Sequence, residues 1–151
     1  MNNQILLTGG RPNSKKGFLS VIKYGLKLKS HLSISCTPPI GIWSLKKHIQ
    51  DKYNSYVVLT FPSRKTSTFH YEASKLVPNT ELRLDENEIT LHTVRFFDNS
   101  LVQVVPSKLK YINKDGIARD ISIKGRIMKA VSVNEGRQLF VALVGGFMEY
   151  Y

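Results

Sequence analysis

The amino-acid sequence predicts an all-β protein, a partial β-propeller with about three blades of four antiparallel strands plus part of another. Runs rich in β-branched and aromatic residues are separated by turn-forming residues, and the last third of the chain shows no helical spacing of apolar residues. Predicted hairpins begin near Gln4, Tyr56, Leu101 and Leu139, at intervals of 52, 45 and 38 residues. Four-stranded blades recur at about 40–50 residues, so these intervals favour a propeller. An ordinary β-sandwich or barrel, whose turns also recur regularly, is the alternative.

The first hairpin is predicted from Gln4–Thr8 and Phe18–Tyr24, which flank a loop rich in Gly, Pro, Asn and Ser at residues 9–17. Lys15 and Lys16 lie on this loop. A glycine-rich loop with lysine can cradle a phosphate group, but this one lacks the G-x-x-x-x-G-K-[ST] pattern and no helix is predicted after it. The sequence therefore favours a simple connection between two strands.

The middle of the chain contains two further predicted strands, Ile40–His48 and Tyr56–Phe61. The second of them is predicted to pair with Thr66–Tyr71 across a turn that contains proline. Trp43, the only tryptophan, stands between aliphatic residues, and this position favours packing in the core. The weakest pattern lies over Glu72–Glu88. Its acidic cluster, Asp85–Glu88, predicts a solvated turn, because the spacing of a calcium-binding loop is absent.

Two hairpins are predicted in the last third of the chain, after a strand over Ile89–Phe97. In the first hairpin, Leu101–Val105 runs into a turn at Pro106-Ser107. In the second, Leu139–Val144 forms a near-continuous apolar run that ends at Gly145-Gly146. Two adjacent glycines can both adopt positive φ, which a tight two-residue hairpin turn requires.

The length of the chain sets its domain organisation. A chain of 151 residues can form one domain with a proper core. A closed propeller, however, needs four to eight blades of about 40–45 residues each, which is more than this chain holds. We therefore expect residues 1–151 to form one partial β-propeller domain, as a fragment of a larger multi-propeller chain.

The composition is strongly basic, with 22 Lys and Arg against 11 Asp and Glu and a net charge of +11. This charge favours a phosphate-rich partner or an acidic protein face. Lysines on strands and turns also solvate a sheet and protect its edges, so the charge alone does not identify a site. The basic residues predicted to contact nucleic acid or an acidic partner are Lys15, Lys16, Lys46, Lys47, Arg64 and Lys65.

The sequence predicts no catalytic residue, no cofactor and no metal site. The motifs G-x-S-x-G and H-E-x-x-H are absent, and the four histidines are scattered along alternating strands without a visible orienting partner. The single cysteine, Cys36, excludes an internal disulfide and suits a reducing compartment. No run reaches the roughly 18 apolar residues of a membrane span. We expect neither a membrane partner nor a small-molecule substrate.

Four segments carry a resemblance to a known family: TGGRPNSKKGFLSVIKYGLKLK, GIWSLKKHIQDKYNSYVVLTF, NSLVQVVPSKLKYI and MKAVSVNEGRQLFVALVGGFMEYY. In this order they resemble the large triple-propeller proteins, which include the third subunit of splicing factor 3b, the large damaged-DNA-binding adaptor subunit and a large polyadenylation-factor subunit. The resemblance covers about residues 7–61 and 94–151, whereas residues 66–93 depart from the family. The splicing branch is the most similar, on Trp43 with Lys46–Ile49, on Asp51 just before Tyr53, and on Tyr56–Phe61.

The resemblance implies that the chain begins near the start of the second of three propellers. It implies a nuclear, non-enzymatic scaffold subunit of the splicing factor 3b complex, which acts in pre-mRNA splicing by docking proteins on a rigid propeller. The implied partners are the HEAT-repeat subunit and the small subunits of that complex, with any contact to spliceosomal RNA indirect. The alternatives are a propeller adaptor in ubiquitin ligation, DNA repair or polyadenylation, or a standalone basic RNA-binding β domain.

Overall fold

The computed structural model describes residues 5–10, 17–22, 35–63, 65–72 and 75–151. These residues form strands joined by turns and one short 3₁₀ turn, Asn134–Gly136, with no α-helix among them. The strands, in chain order, are β1 (Ile5–Gly10), β2 (Gly17–Ile22), β3 (Gly41–Leu45), β4 (Tyr56–Phe61), β5 (Lys65–Glu72), β6 (Lys75–Pro78), β7 (His92–Arg95), β8 (Leu101–Val105), β9 (Lys108–Ile112), β10 (Ala118–Ser122), β11 (Ile127–Val133), β12 (Gln138–Leu143) and β13 (Met148–Tyr150).

The strands of the described residues pair into four antiparallel sheets, each in simple up-and-down order. We call β3–β6 blade A, β7–β10 blade B and β11–β13 blade C, and β1 pairs with β2 in the sheet before them. β7 contacts β3 on one side and β11 on the other, so the first strands of the three blades are the inner ones. This architecture confirms the prediction of an all-β partial propeller, and the four predicted hairpins are β1–β2, β4–β5, β8–β9 and β12–β13.

Two of the predicted strands are shorter in the structure. β3 ends at Leu45, so the prediction of a strand over Ile40–His48 was wrong at its end. Asp51 causes the early end, because its carboxylate accepts the His48 N–H at 2.8 Å and its own N–H donates to the His48 carbonyl at 3.0 Å. These two bonds close a turn that a continuing strand would break. β7 is likewise confined to His92–Arg95, within the longer run predicted from the alternation.

The turns follow the predicted chemistry with one difference in length. Val105 pairs with Lys108, so Pro106-Ser107 is a two-residue turn as predicted. Gly145 and Gly146 both adopt positive φ, at 98° and 85°, which is also as predicted. The turn that they form nevertheless has three residues, because the Leu143 N–H donates to the Phe147 carbonyl at 2.8 Å and leaves residues 144–146 in the loop.

Two apolar cores fill the spaces between successive blades. The core between blades A and B consists of Leu45, Tyr56, Val58, Leu82, Leu84, Leu101 and Ile112, with half-buried Trp43 packed against it as predicted. The core between blades B and C consists of Val102, Val104, Leu109, Ile127, Leu139, Val141 and Leu143. β8 contributes to both cores because successive side chains of a strand point to opposite faces. Because this strand is buried on both faces, it fixes the angle between blades A and B and the angle between blades B and C.

Candidate functional site

The predicted basic residues do not gather into one patch. Lys15, Lys16 and Arg64 lie outside the described residues. Lys46 and Lys47 follow the end of β3, whereas Lys65 begins β5. Leu45 pairs with Tyr56 and Phe61 pairs with Lys65, so the two positions lie at opposite ends of blade A. A role for these residues in binding nucleic acid or an acidic partner stays a prediction.

Side chains from three blades converge where the inner strands end. A cavity of about 490 Å³ lies there, lined by β3, β7 and β11 and by residues that follow β3 and β11. We call it the inner-strand pocket. Its polar lining residues include Lys46, His92, Arg95 and Ser132, and Trp43 contributes an aromatic wall. A cavity of this size, with apolar walls and a few convergent polar groups, is typical of a binding site.

Arg95 joins blade A to blade B at one side of this pocket. Its Nε donates to the Lys46 carbonyl at 2.9 Å, and its Nη1 donates to the Asn99 carbonyl at 2.7 Å. The Asn99 side chain in turn accepts the Ile49 N–H at 2.8 Å. Partial burial lowers the pKa of Arg95, and the nearby Tyr56 and Asp51 side chains offset part of this effect. The guanidinium remains charged, because an arginine pKa lies far above neutral pH.

His92 joins blade B to blade C at the other side of the pocket. Its Nε2 lies 3.0 Å from the Ser132 Oγ, across the contact between β7 and β11. Burial lowers the pKa of His92, since desolvation disfavours the imidazolium. The ring is therefore neutral at physiological pH and serves as a hydrogen-bonding group. The pattern of histidines scattered on strands contained no signal for this pairing, because Ser132 is 40 residues away in sequence.

The turn between β11 and β12 packs closely against the end of β7. Gly136 adopts a φ of 76°, and a Cβ at this position would lie 2.5 Å from the Arg95 carbonyl oxygen and 3.3 Å from the Val94 Cγ2. Only glycine meets both requirements without strain. The close approach holds blade C against the inner strand of blade B, and it forms the floor of the pocket on that side.

A buried polar network fastens the connection between blades A and B. The Oε1 of Gln103 accepts the Asp85 N–H at 2.6 Å, and its Nε2 donates to the Asp85 carbonyl at 3.0 Å and to the Thr90 Oγ1 at 2.8 Å. Thr90 also lies 2.8 Å from the Thr66 Oγ1, and the Thr66 hydroxyl donates to the Glu88 carbonyl. Sequence patterns did not predict this network. Its one signal was a glutamine in the middle of the apolar run Leu101–Val105.

Within the described residues, no group of three or more His, Cys, Asp or Glu is placed to hold a metal ion. The same residues contain no helix long and apolar enough to cross a membrane. What the fold and the pocket define is a β-propeller segment with a polar cavity at its inner strands. The chain belongs to the family described as the RSE1/DDB1/CPSF1 second beta-propeller, whose model matches residues 31–151.

Individual relatives match almost the whole chain. Splicing factor 3B subunit 3 from Danio rerio is 25% identical over 98% of this chain, and spliceosome-associated protein 130 A from Arabidopsis thaliana is 28% identical over 96%. DNA damage-binding protein 1 from Oryza sativa is 26% identical over 90%. The chain spans only 12% to 13% of the length of these relatives. The family and its second-propeller position agree with the resemblance carried by the sequence motifs.

Proposed function

We propose that this chain is part of a nuclear, non-enzymatic scaffold subunit of the splicing factor 3b complex. It acts in pre-mRNA splicing by docking proteins on a rigid propeller, and residues 1–151 are one partial propeller of a longer multi-propeller chain. The partners are the HEAT-repeat subunit and the small subunits of that complex, and contact with spliceosomal RNA is indirect. No chemical reaction is part of the proposal.

The observation that carries this proposal is the similarity to splicing proteins along nearly the entire chain. A splicing factor 3B subunit and a spliceosome-associated protein both match at least 96% of it. The two interblade cores and the Gln103 network support the mechanical part of the proposal, because they hold neighbouring blades at fixed angles. Loops on a rigid scaffold can present a constant docking surface at little entropic cost.

A second candidate function is that of an adaptor in DNA repair or ubiquitin ligation. It is favoured by the similarity to DNA damage-binding protein 1, whose 26% identity falls between the 25% and 28% of the splicing relatives. Overall identity therefore does not separate the two functions. The segment around Trp43, Lys46–Ile49 and Asp51 favours splicing, since it carries the specific resemblance to that branch.

Co-purification of the tagged protein from nuclear extract separates the two candidates. Recovery of the HEAT-repeat subunit and small splicing factor 3b subunits, with cross-links to residues of this chain, is the expected result. Recovery of a cullin without splicing subunits would support the adaptor function and contradict the proposal. An untagged extract is the control for adventitious binding.

A salt titration with purified RNA tests the RNA-binding alternative. Direct contact through several lysines predicts a logarithmic binding constant that falls steeply and linearly with the logarithm of salt concentration. We expect no tight binding at low salt, because contact with RNA is proposed to be indirect. Tight, salt-sensitive binding that is lost when Lys46, Lys47 and Lys65 are changed to Gln would instead support a direct RNA-binding domain.

A further inference from the structure

The inner-strand pocket contains a cation with unused hydrogen-bonding capacity. A guanidinium has five N–H donors, and the bonds to the Lys46 and Asn99 carbonyls use two of the five that Arg95 carries. Among the described residues, no carboxylate lies within ion-pair distance of Arg95. Partial burial makes this charge costly, and nearby Asp51 offsets only part of the cost, so an incoming anion would gain more here than at an exposed arginine.

The remainder of the pocket lining favours an anion of limited size. The described lining residues include no Asp or Glu. Trp43, Leu45 and Val94 supply apolar surface, and Ser132 supplies a hydroxyl that bonds to His92. A carboxylate on a short aliphatic stem matches this combination, since the stem contacts apolar walls while the two oxygens accept from the guanidinium.

We propose that the inner-strand pocket binds an Asp or Glu carboxylate of a protein partner, with the Arg95 guanidinium as the principal donor. The inference rests on the proposed docking function in one respect, that the occupant belongs to a protein. It adds a defined contact to that function, because it assigns the recognition to one side chain and one pocket.

The lining favours a protein carboxylate over an RNA phosphate. Recognition of a nucleic-acid backbone draws on several cations spread along a groove. Here the second basic side chain, Lys46, already donates from its Nζ to the Ile49 carbonyl at 3.1 Å. The third, His92, is neutral because burial lowers its pKa. Within the described lining, Arg95 and Lys46 are therefore the two cations of a cavity of about 490 Å³, which is better matched to one carboxylate side chain than to a polynucleotide.

Trp43 provides a direct readout of binding, because it is the only tryptophan and lines the pocket. Titration of the purified chain with an acetyl-capped hexaglutamate peptide should shift its emission saturably, whereas the hexaglutamine peptide should not. Arg95→Gln should weaken peptide binding at least about tenfold, as expected for loss of a charge-assisted pair. Lys114→Gln removes one exposed charge at the turn after β9 and should leave the affinity within about twofold.

Arg95→Gln also removes one bond between blades A and B and one within blade B, so a second variant guards against a folding defect. Arg95→Lys keeps the charge but lacks the planar pair of donors. It should weaken the binding of the peptide by several-fold while the chain remains folded. Equal weakening by Arg95→Gln and Lys114→Gln, with no weakening by Arg95→Lys, would show that only net charge matters, and this outcome would overturn the proposal. Preference for a uridine oligonucleotide over the peptide, with the same dependence on Arg95, would assign the pocket to phosphate and would also overturn it.

The unmodified protein in its native complex supplies a test without substitutions. A zero-length carbodiimide cross-linker joins amines to carboxylates that are already in contact. A partner Asp or Glu in the pocket should be cross-linked to Lys46, which lines the pocket, in preference to exposed Lys114. Co-purified partners with no cross-link at Lys46 would refute the pocket while leaving the scaffold function intact. If no splicing partners co-purify but peptide binding is intact, the scaffold function would be refuted and the pocket would stand.

Discussion

Gln103 offers the sharpest test of how the propeller is held together. Its side chain is completely buried and joins β8 to the connection between blades A and B through three hydrogen bonds. Gln103→Leu keeps the approximate size of the side chain but removes its polar atoms. The Asp85 N–H, the Asp85 carbonyl and the Thr90 hydroxyl then each lose a bond.

The expected loss follows from the desolvation of these groups. An unsatisfied buried polar group costs about 1–3 kcal/mol. Thr90 is fully buried and bears this penalty, although its hydroxyl keeps the bond to Thr66, whereas half-buried Asp85 can recover part of it from water. We therefore expect Gln103→Leu to lower the free energy of unfolding by about 2–4 kcal/mol. Gln138→Leu, at a half-buried glutamine that bonds to an exposed tyrosine hydroxyl, should cost only about 0.5 kcal/mol.

Two measurements check this prediction. Urea unfolding at low protein concentration, followed by Trp43 fluorescence, gives the change in free energy. Native-state hydrogen exchange reports the Asp85 amide, whose protection in the wild type depends on the Gln103 Oε1. The reasoning fails if Gln103→Leu unfolds within about 0.5 kcal/mol of the wild type, or if the Asp85 amide keeps its protection.

Three further predictions concern the packing of blade C, the pH dependence of stability and the outer face of the last sheet. Gly136→Ala should lower the free energy of unfolding by about 2–4 kcal/mol, because it adds a clash with a β7 carbonyl to the strain of positive φ. The control is Gly116→Ala, since Gly116 also has a positive φ but a Cβ there would meet nothing within 4 Å. This variant should cost only about 1 kcal/mol in the same urea assay. Burial lowers the pKa of His92 below 6.5, so the unfolded chain takes up the proton first. The contribution of neutral His92 to the free energy of unfolding is therefore complete above pH 6.5 and declines as the pH falls through the folded-state pKa. In urea unfolding, the difference in this free energy between wild type and His92→Gln should shrink below pH 6.5, and a constant difference would contradict the assignment. Met148 and Tyr150 are 70% and 59% exposed on blade C, so the chain alone should self-associate with rising concentration. The double variant Met148→Glu with Tyr150→Glu should reduce this self-association in sedimentation experiments. A monomeric wild type with a sharp cooperative melt would contradict the expectation that residues 1–151 are a fragment.

Local sequence patterns determined the strands and most of the turns of this protein. The hairpins near Tyr56, Leu101 and Leu139 were predictable because β-branched runs and turn residues act over a few neighbouring positions. The Pro106-Ser107 turn and the positive φ of Gly145 and Gly146 follow from the same local chemistry. The motifs also identified the family correctly, since they preserve the order of these units along the chain.

Only the tertiary structure decided which side chains meet between blades. Arg95 reaches a carbonyl 49 residues away in sequence, and Gln103 reaches Asp85 across 18 residues. Neither contact has a periodic signature, because each depends on the angle at which two sheets pack. The basic residues illustrate the same limit: the sequence grouped Lys46, Lys47 and Lys65 by charge, whereas the antiparallel register places them at opposite ends of one blade. The sequence pattern of a strand specifies which of its two faces is buried, but the neighbour that covers this face is set by how the whole ring packs.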